Sequence, residues 1–351
     1  MNWIDQCHFG DCRDTMRAMI VDGVKVQTIV TSPPYYGLRD YGHDCQLGLE
    51  ETPEKYIAAM VEVFRAARDV LADDGTLWLN IGDSYAGSWG AQGRTGQMSD
   101  RSVINARQVS AHPQIASRAG SIPEGSGLKP KDLIGIPWML AFALRTDGWY
   151  LRQEIIWHKP NPMPESVRDR CTKSHESLFL FAKSERYVYD AEAISQPLAE
   201  TSIDRLAQPN LENQAGSDRV PGKNNGAMKA VGPRFGGNKY GDDTREESRT
   251  KSGNEWTGDS GRANRRSVWT IATTPYKGAH FATFPEALVE PCVLAGSRVG
   301  DIVFDPFFGS GTTGQVAQRL GRHFLGCELN RDYEPLQRER LRQLGLQLEV
   351  A

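Results

Sequence analysis

Asp301-Ile302-Val303-Phe304-Asp305-Pro306-Phe307-Phe308-Gly309-Ser310-Gly311-Thr312-Thr313-Gly314 is the stretch whose reading decides the fold. Ile302 to Asp305 reads as a short buried strand and Thr313 to Leu320 as a helix, with a glycine turn between them. Glycines permit a tight turn and a close backbone approach at the carboxyl edge of a strand. The next strand, His323 to Glu328, ends in a carboxylate that can accept both hydroxyls of a ribose. Strand, glycine loop, helix, strand and acid, in that order, describe a nucleoside-cofactor site. The spacing does not say which nucleoside cofactor.

Outward from this stretch the regular pattern repeats. Val24 to Val30 reads as a strand. Tyr56 to Leu71 carries Ile57, Met60, Val61, Phe64, Ala67, Val70 and Leu71 at helical spacing. Asp73-Asp74-Gly75 is expected to stop that helix, and Thr76 to Ile81 to form the next strand. Pro137 to Thr146 and Pro285 to Leu294 read as helices, Tyr150 to Trp157 and Ser177 to Ala182 as strands. Strands alternating with helices predict a mostly parallel α/β sheet covered on both faces. Two segments break the pattern, about 86–131 and about 201–266. Both are rich in glycine and polar residues, and long irregular segments in compact domains are usually functional or disordered.

Thr31-Ser32-Pro33-Pro34-Tyr35 follows directly on a predicted strand. Two prolines fix φ, remove two N–H donors and display the intervening carbonyl rigidly. Such a site suits an amine whose lone pair is delocalised into a base ring. The Ser32 hydroxyl and the Pro33 carbonyl can accept its two hydrogens and favour a pyramidal nitrogen, and Tyr35 can stack on the base. In-line displacement on a sulfonium methyl then needs mainly alignment. This chemistry separates S-adenosylmethionine from a dinucleotide. A base inside a duplex must be flipped out to reach the pocket.

With both constellations in view, the chain resembles the permuted, β-class DNA amino-methyltransferases, in which the catalytic motif precedes the glycine motif. The resemblance covers the regular blocks, about two thirds of the chain. It implies a Rossmann-like methyltransferase fold with a mostly parallel seven-stranded sheet, circularly permuted, with an inserted target-recognition region. The implied division is 1–190 for the first catalytic part, with its polar insert at about 86–131, then 191–268 for target recognition and 269–351 for the cofactor part. The implied catalytic residues are Ser32, Pro33, Pro34 and Tyr35. S-adenosylmethionine would be held by Asp11, Cys12, Phe284, Pro285, Asp305, Pro306, Phe307, Gly309, Ser310, Gly311, Thr312 and Glu328, with Asp11 near the adenine amino group. No metal is implied. Trp78 to Ser84 looks like the strand beside the target pocket. Trp157-His158-Lys159-Pro160 and Ser174-His175-Glu176 look like the support of the catalytic loop.

The implied partner is double-stranded DNA, met by Arg94, Arg107, Lys159, Arg234, Lys239, Arg265 and Arg266 through phosphates and base edges. A homodimer is also implied. The expected target is N6 of adenine, with N4 of cytosine as the alternative; an RNA or protein-amide methyltransferase is a more distant reading, and a DNA-binding module without catalysis more distant still. The enzyme would be bacterial or phage-encoded, nucleoid-associated, and either part of a restriction-modification pair or solitary.

The bulk numbers agree with this reading. The 351 residues are 39% hydrophobic and 24% charged, enough for a sizeable core. No apolar run approaches the roughly 18–20 residues of a membrane span, and the first residues lack a signal-peptide pattern, so the sequence reads as cytoplasmic. None of the six cysteines forms a CxxC pair. The net charge of −3 leaves nucleic-acid binding to local basic surface. Deleting residues 201–266 should remove sequence-specific DNA binding while cofactor binding persists. Electrophoretic mobility shift and isothermal titration calorimetry check both, and specificity that survives the deletion would place recognition elsewhere.

Overall fold

A computed structural model describes residues 3–37, 46–86, 127–162, 164–165, 167–199, 262–273 and 284–342. The chain divides into two compact units: Met1–Tyr189 with Ser267–Ala351, and Asp190–Arg266.

The first unit contains the strands β1 (Gln6–Phe9), β2 (Val26–Thr31), β3 (Leu71–Ile81), β4 (Tyr150–His158), β5 (His175–Ala182), β8 (Val268–Thr270), β9 (Ile302–Asp305) and β10 (His323–Glu328). The second contains a small antiparallel pair, β6 (Gln196–Pro197) and β7 (Arg262–Ala263). The helices of the first unit are α1 (Cys12–Val21), α2 (Pro53–Val70), α3 (Ile136–Thr146), α4 (Glu286–Gly296), α5 (Thr312–Arg319) and α6 (Glu334–Arg342).

The main sheet runs β1-β10-β9-β2-β3-β5-β4-β8. All neighbours are parallel except β5, which is antiparallel to both β3 and β4. The expected seven strands are present, and β8 adds an eighth. It extends the edge beyond β4 by pairing along Ile156 to His158 and burying Trp269. Three residues are too few for a periodic signal, so this strand is visible only once its partner is in place.

Side-chain alternation divides the two faces. Ile29, Leu77 and Leu79 join the core beneath α1, α2 and α3, which pack in series. Thr28, Thr76 and Trp78 point to the other face, under α4. There a Cβ on Gly296 would lie 2.6 Å from both threonine hydroxyls and 2.9 Å from the Trp78 Nε1. The close approach of α4 therefore requires glycine, and the two threonine hydroxyls satisfy each other at 2.9 Å.

One boundary differs from expectation. Helix α2 ends at Val70 and β3 begins at once with Leu71, so Asp73, Asp74 and Gly75 lie within the strand. The register with β2 shifts between Val26/Leu71 and Thr28/Thr76. The acidic pair is absorbed as an irregularity, held by the Lys183 N–H, just past β5, on the Gly75 carbonyl.

The crossover after β9 leads outward to β10, whereas that after β2 leads the opposite way to β3. The carboxyl ends of these two strands thus flank the topological switch point, where open α/β sheets hold ligands. Among the described residues no helix is long and apolar enough to cross a membrane.

Packing next to that switch point is tight. A Cβ on Gly326 of β10 would sit 2.4 Å from the Phe308 ring, which stacks on Phe324 at 5.4 Å. Gly326→Ala should therefore destabilise by about 1–3 kcal/mol through overpacking. Thermal unfolding is expected to show a midpoint lowered by several degrees; an unchanged midpoint would mean that Phe308 is free to move aside.

Candidate active site

Thr31 ends β2 and Asp305 ends β9, and their side chains meet: the Thr31 hydroxyl donates to Asp305 Oδ1 at 2.6 Å. The same carboxylate accepts the Phe307 N–H at 3.0 Å and the Thr313 hydroxyl at 2.7 Å. Thr313 Oγ1 also lies 3.3 Å from the Val30 carbonyl. One fully buried carboxylate thus joins the strand before Ser32 to the start of the glycine loop and to the helix after it. Burial pushes Asp305 up to about 6, against the three hydrogen bonds that pull it down.

The glycine loop is held at both of its peptide faces. Gly309 and Gly311 take φ of 54° and 87°, the left-handed region that favours glycine. Phe308 N–H donates to the Cys327 carbonyl at 2.8 Å, and Gly309 N–H to Glu328 Oε2 at 2.7 Å. The Gly309 carbonyl accepts from Gln337 Nε2 of α6 at 2.7 Å, and Arg340 of the same helix contacts the Thr312 hydroxyl. Glu328 is raised by burial, countered by the N–H groups of Asn330 and Gly309.

The residues present fit a nucleoside bearing an amino-acid tail. Glu328 stands at the strand end that faces the loop, and each of its oxygens has lone pairs to spare. The Ser310 hydroxyl is buried with no hydrogen-bond partner among the described residues. It lies just before α5, where helix N–H groups favour an anion. Next to Glu328, whose carbonyl accepts the Gly10 N–H, comes Asp11. Asp11 caps α1, and both its oxygens are bound by the Arg13 guanidinium. Burial raises its carboxyl, but the Arg13 hydrogen bonds outweigh that and hold it below the usual range. Cys12 is buried, and burial pushes its thiol up to about 12. Phe284 and the buried Pro285 precede α4, and Pro306 is buried beside Asp305.

On the catalytic side, Pro33 is buried, and the Pro34 carbonyl accepts from the Tyr56 hydroxyl at 2.8 Å. The Pro33 carbonyl takes no hydrogen bond from the described residues. Tyr35 is fixed at both ends. Its ring packs where a Cβ on Gly82 would come within 2.6 Å, and its hydroxyl lies 2.9 Å from Glu176 Oε2 and 3.1 Å from Asn80 Oδ1. Burial, then the Glu176 charge, push that hydroxyl well above its ordinary range, so it keeps its proton. Ser32 Oγ lies 3.3 Å from Asn80 Oδ1.

Asn80 and Glu176 are site residues to which sequence reasoning assigns no role of their own, although each falls in a stretch placed near the pocket. Asn80 is the one polar residue between Leu79 and Ile81 in a buried strand, and only 2% exposed, which is the signal that could have found it. Lys159, expected to meet DNA, is seated against Glu176 Oε1 and 4.2 Å from the Trp157 ring centre. Arg265 and Arg266 belong to the second unit, half-buried and exposed respectively. Arg94, Arg107, Arg234 and Lys239 lie outside the described residues, as do most of the segments 86–131 and 201–266. Among the described residues no group of three or more His, Cys, Asp or Glu could hold a metal ion.

Comparison with known proteins bears on this arrangement. A family model described as DNA methylase matches residues 26–339. The Type II methyltransferase M.SmaI of Serratia marcescens is 43% identical over 332 residues, covering 95% of this chain and 89% of that protein. M.Cfr9I of Citrobacter freundii is 42% identical, with coverage of 95% and 86%. Among solved structures, the PvuII DNA methyltransferase (cytosine-N4-specific) aligns over 99% of this chain and 88% of its own, with a TM-score of 0.55 at 15% identity. A DNA modification methylase of Thermus thermophilus, TTHA0409, complexed with S-adenosyl-L-methionine, aligns over 96% and 93% with a TM-score of 0.51 at 20% identity.

The raised Asp305 has a consequence for stability. Its ordinary value is 3.8 and its folded value about 6, so between those pH values the folded chain holds more protons than the unfolded one. Stability from this group is greatest below about pH 4 and is lost as pH rises through 6, by roughly 3 kcal/mol for a shift of about two units. Asp305→Asn should lack that slope. Urea unfolding of both chains between pH 4 and 8 measures the difference, and parallel curves would contradict the assignment.

Proposed function

The chain belongs to the N6/N4 DNA methylase family, and on that premise we propose that Ser32 and Pro33 hold the exocyclic amino group of a flipped-out base for methylation. It is a DNA methyltransferase dependent on S-adenosylmethionine. The observation that carries the reading is the 2.6 Å hydrogen bond between Thr31 and Asp305, because it sets the Ser32 loop beside the glycine loop at one sheet edge.

The bound cofactor supplies an electrophilic sulfonium methyl. The chain's own work is to hold and orient. Glu328, Ser310 and the loop N–H groups hold the nucleoside and its tail at the carboxyl ends of β9 and β10. The Ser32 hydroxyl and the Pro33 carbonyl each accept one hydrogen of the amino group, which draws the nitrogen lone pair out of conjugation. A carbon–nitrogen bond forms as the carbon–sulfur bond breaks. The proton is lost from nitrogen afterwards, so Ser32 need not act as a strong base. Alignment of this kind is worth up to about 7–11 kcal/mol. The Asp190–Arg266 unit is the proposed target-recognition region, and pairing into a homodimer belongs to the same reading.

Of the two candidate bases, N4 of cytosine is the reading favoured here over N6 of adenine. Serine at the first motif position, as at Ser32, is commonest among enzymes of this class that act on cytosine. Adenine keeps the support of the Thr31 to Gly42 block, which resembles enzymes of mixed target.

Two measurements test the proposal. Nucleoside chromatography of DNA methylated by the purified protein should yield N4-methylcytosine; N6-methyladenine would move the target to adenine, and neither product would overturn the assignment. Ser32→Ala should lower kcat about 100-fold, the scale of one positioned polar contact to a transition state, with cofactor affinity nearly unchanged. Equal losses in turnover and cofactor affinity would count against the role given to Ser32.

A further inference from the structure

We propose that Glu176 and Asn80 are positioning residues that fix the direction of the Ser32 hydroxyl, so that it faces the target base as a hydrogen-bond acceptor only. This rests on the reading of Ser32 as an amine acceptor and says how that polarity is enforced.

The argument is an inventory of hydrogens. Glu176 forms an ion pair with Lys159 through Oε1. Its other oxygen, Oε2, receives the Tyr35 hydroxyl at 2.9 Å and the Asn80 Nδ2 at 3.4 Å. Tyr35 has a single hydrogen, and the carboxylate is its nearer and charge-assisted acceptor. Asn80 directs its two N–H bonds to Glu176 and to the Ser177 carbonyl, the latter at 3.3 Å. That sets the amide rotamer and turns Oδ1 toward Ser32 and Tyr35. With the tyrosine hydrogen committed elsewhere, Asn80 Oδ1 is an acceptor for Ser32 at 3.3 Å; the other nearby acceptor is the Tyr35 oxygen at 3.4 Å. Both draw the serine hydrogen inward. What Ser32 then presents outward is lone pairs.

The polarity begins at the carboxylate and passes through a chain in which every donor points back toward it. A site that presents only lone pairs beside a carbonyl accepts an NH2 group and repels a keto oxygen, which offers no hydrogen. The cost is a polar side chain buried in an apolar strand, which packing alone does not explain.

A double-mutant cycle tests this, with unmethylated plasmid DNA and tritiated S-adenosylmethionine as probes. Glu176→Gln keeps the shape but turns an N–H toward Tyr35 or Lys159, which breaks the polarity. It should lower kcat at least 10-fold, with KM for DNA and Kd for the cofactor within about 3-fold of wild type. In the Ser32→Ala background the same change should have little further effect, because Glu176 acts through the serine. Equal fold-losses in both backgrounds, or undiminished turnover of Glu176→Gln, would overturn the inference while leaving the proposed function standing. Full turnover of Ser32→Ala would instead sink the underlying reading. Asn80→Leu gives a second route. It should retain a melting temperature near that of wild type while kcat falls, whereas a parallel fall in both would mark Asn80 as merely structural.

Discussion

A single buried carboxylate organises this enzyme. Asp305 accepts hydrogens from Thr31, Thr313 and the Phe307 backbone, and so ties together the two strand ends at the switch point and the helix that follows. Burying a carboxylate is costly unless its lone pairs are satisfied. Here the three donors come from three different segments, so the charge is tolerated only when all three are in place. Sheet pairing between β2 and β9 aligns the segments coarsely, through Thr28 with Val303 and Ile29 with Phe304. The carboxylate then completes the alignment to hydrogen-bond tolerance, which transfer of a methyl group between two bound molecules demands.

A second buried acid, Glu176, sits on the other side of Ser32. The two carboxylates do different work. Asp305 holds backbone and hydroxyl groups near the cofactor loop, whereas Glu176, through Tyr35 and Asn80, governs the face meant for the base. Between them runs the Ser32-Pro33-Pro34 turn, braced from behind by Tyr56 on the Pro34 carbonyl. Rigid prolines limit what the backbone can do, so the adjustable part of the site is the rotor of one hydroxyl.

Much of this is legible in the sequence, for local reasons. Strands β9 and β10 run from Ile302 to Asp305 and from His323 to Glu328, as their short apolar runs and bounding residues indicate. The glycine loop lies between them with its left-handed residues where the turn needs them. Strand β1 and helix α1 give no comparable signal, because Gln6–Phe9 is a partly exposed edge strand without clean alternation and α1 is largely polar. The partnerships that make the site are beyond reach for another reason. Asn80 and Glu176 are 96 positions apart, and nothing local to either announces the other. Lys159 reads as a cation for phosphate because its sequence shows a charge and not the acid seated against it.

The permuted order of the chain has a temporal side. Thr31 and Asp305 are separated by 274 positions, and their contact closes the cofactor site. A ribosome adding about 5–20 residues per second needs on the order of 15–55 s to cross that interval. Throughout it the catalytic turn has emerged but the loop that must face it does not exist. Contacts so distant along the chain also form late in folding. A partly synthesised or truncated copy therefore carries the turn for its base without the means to bind a methyl donor, and modification of DNA starts only from finished molecules.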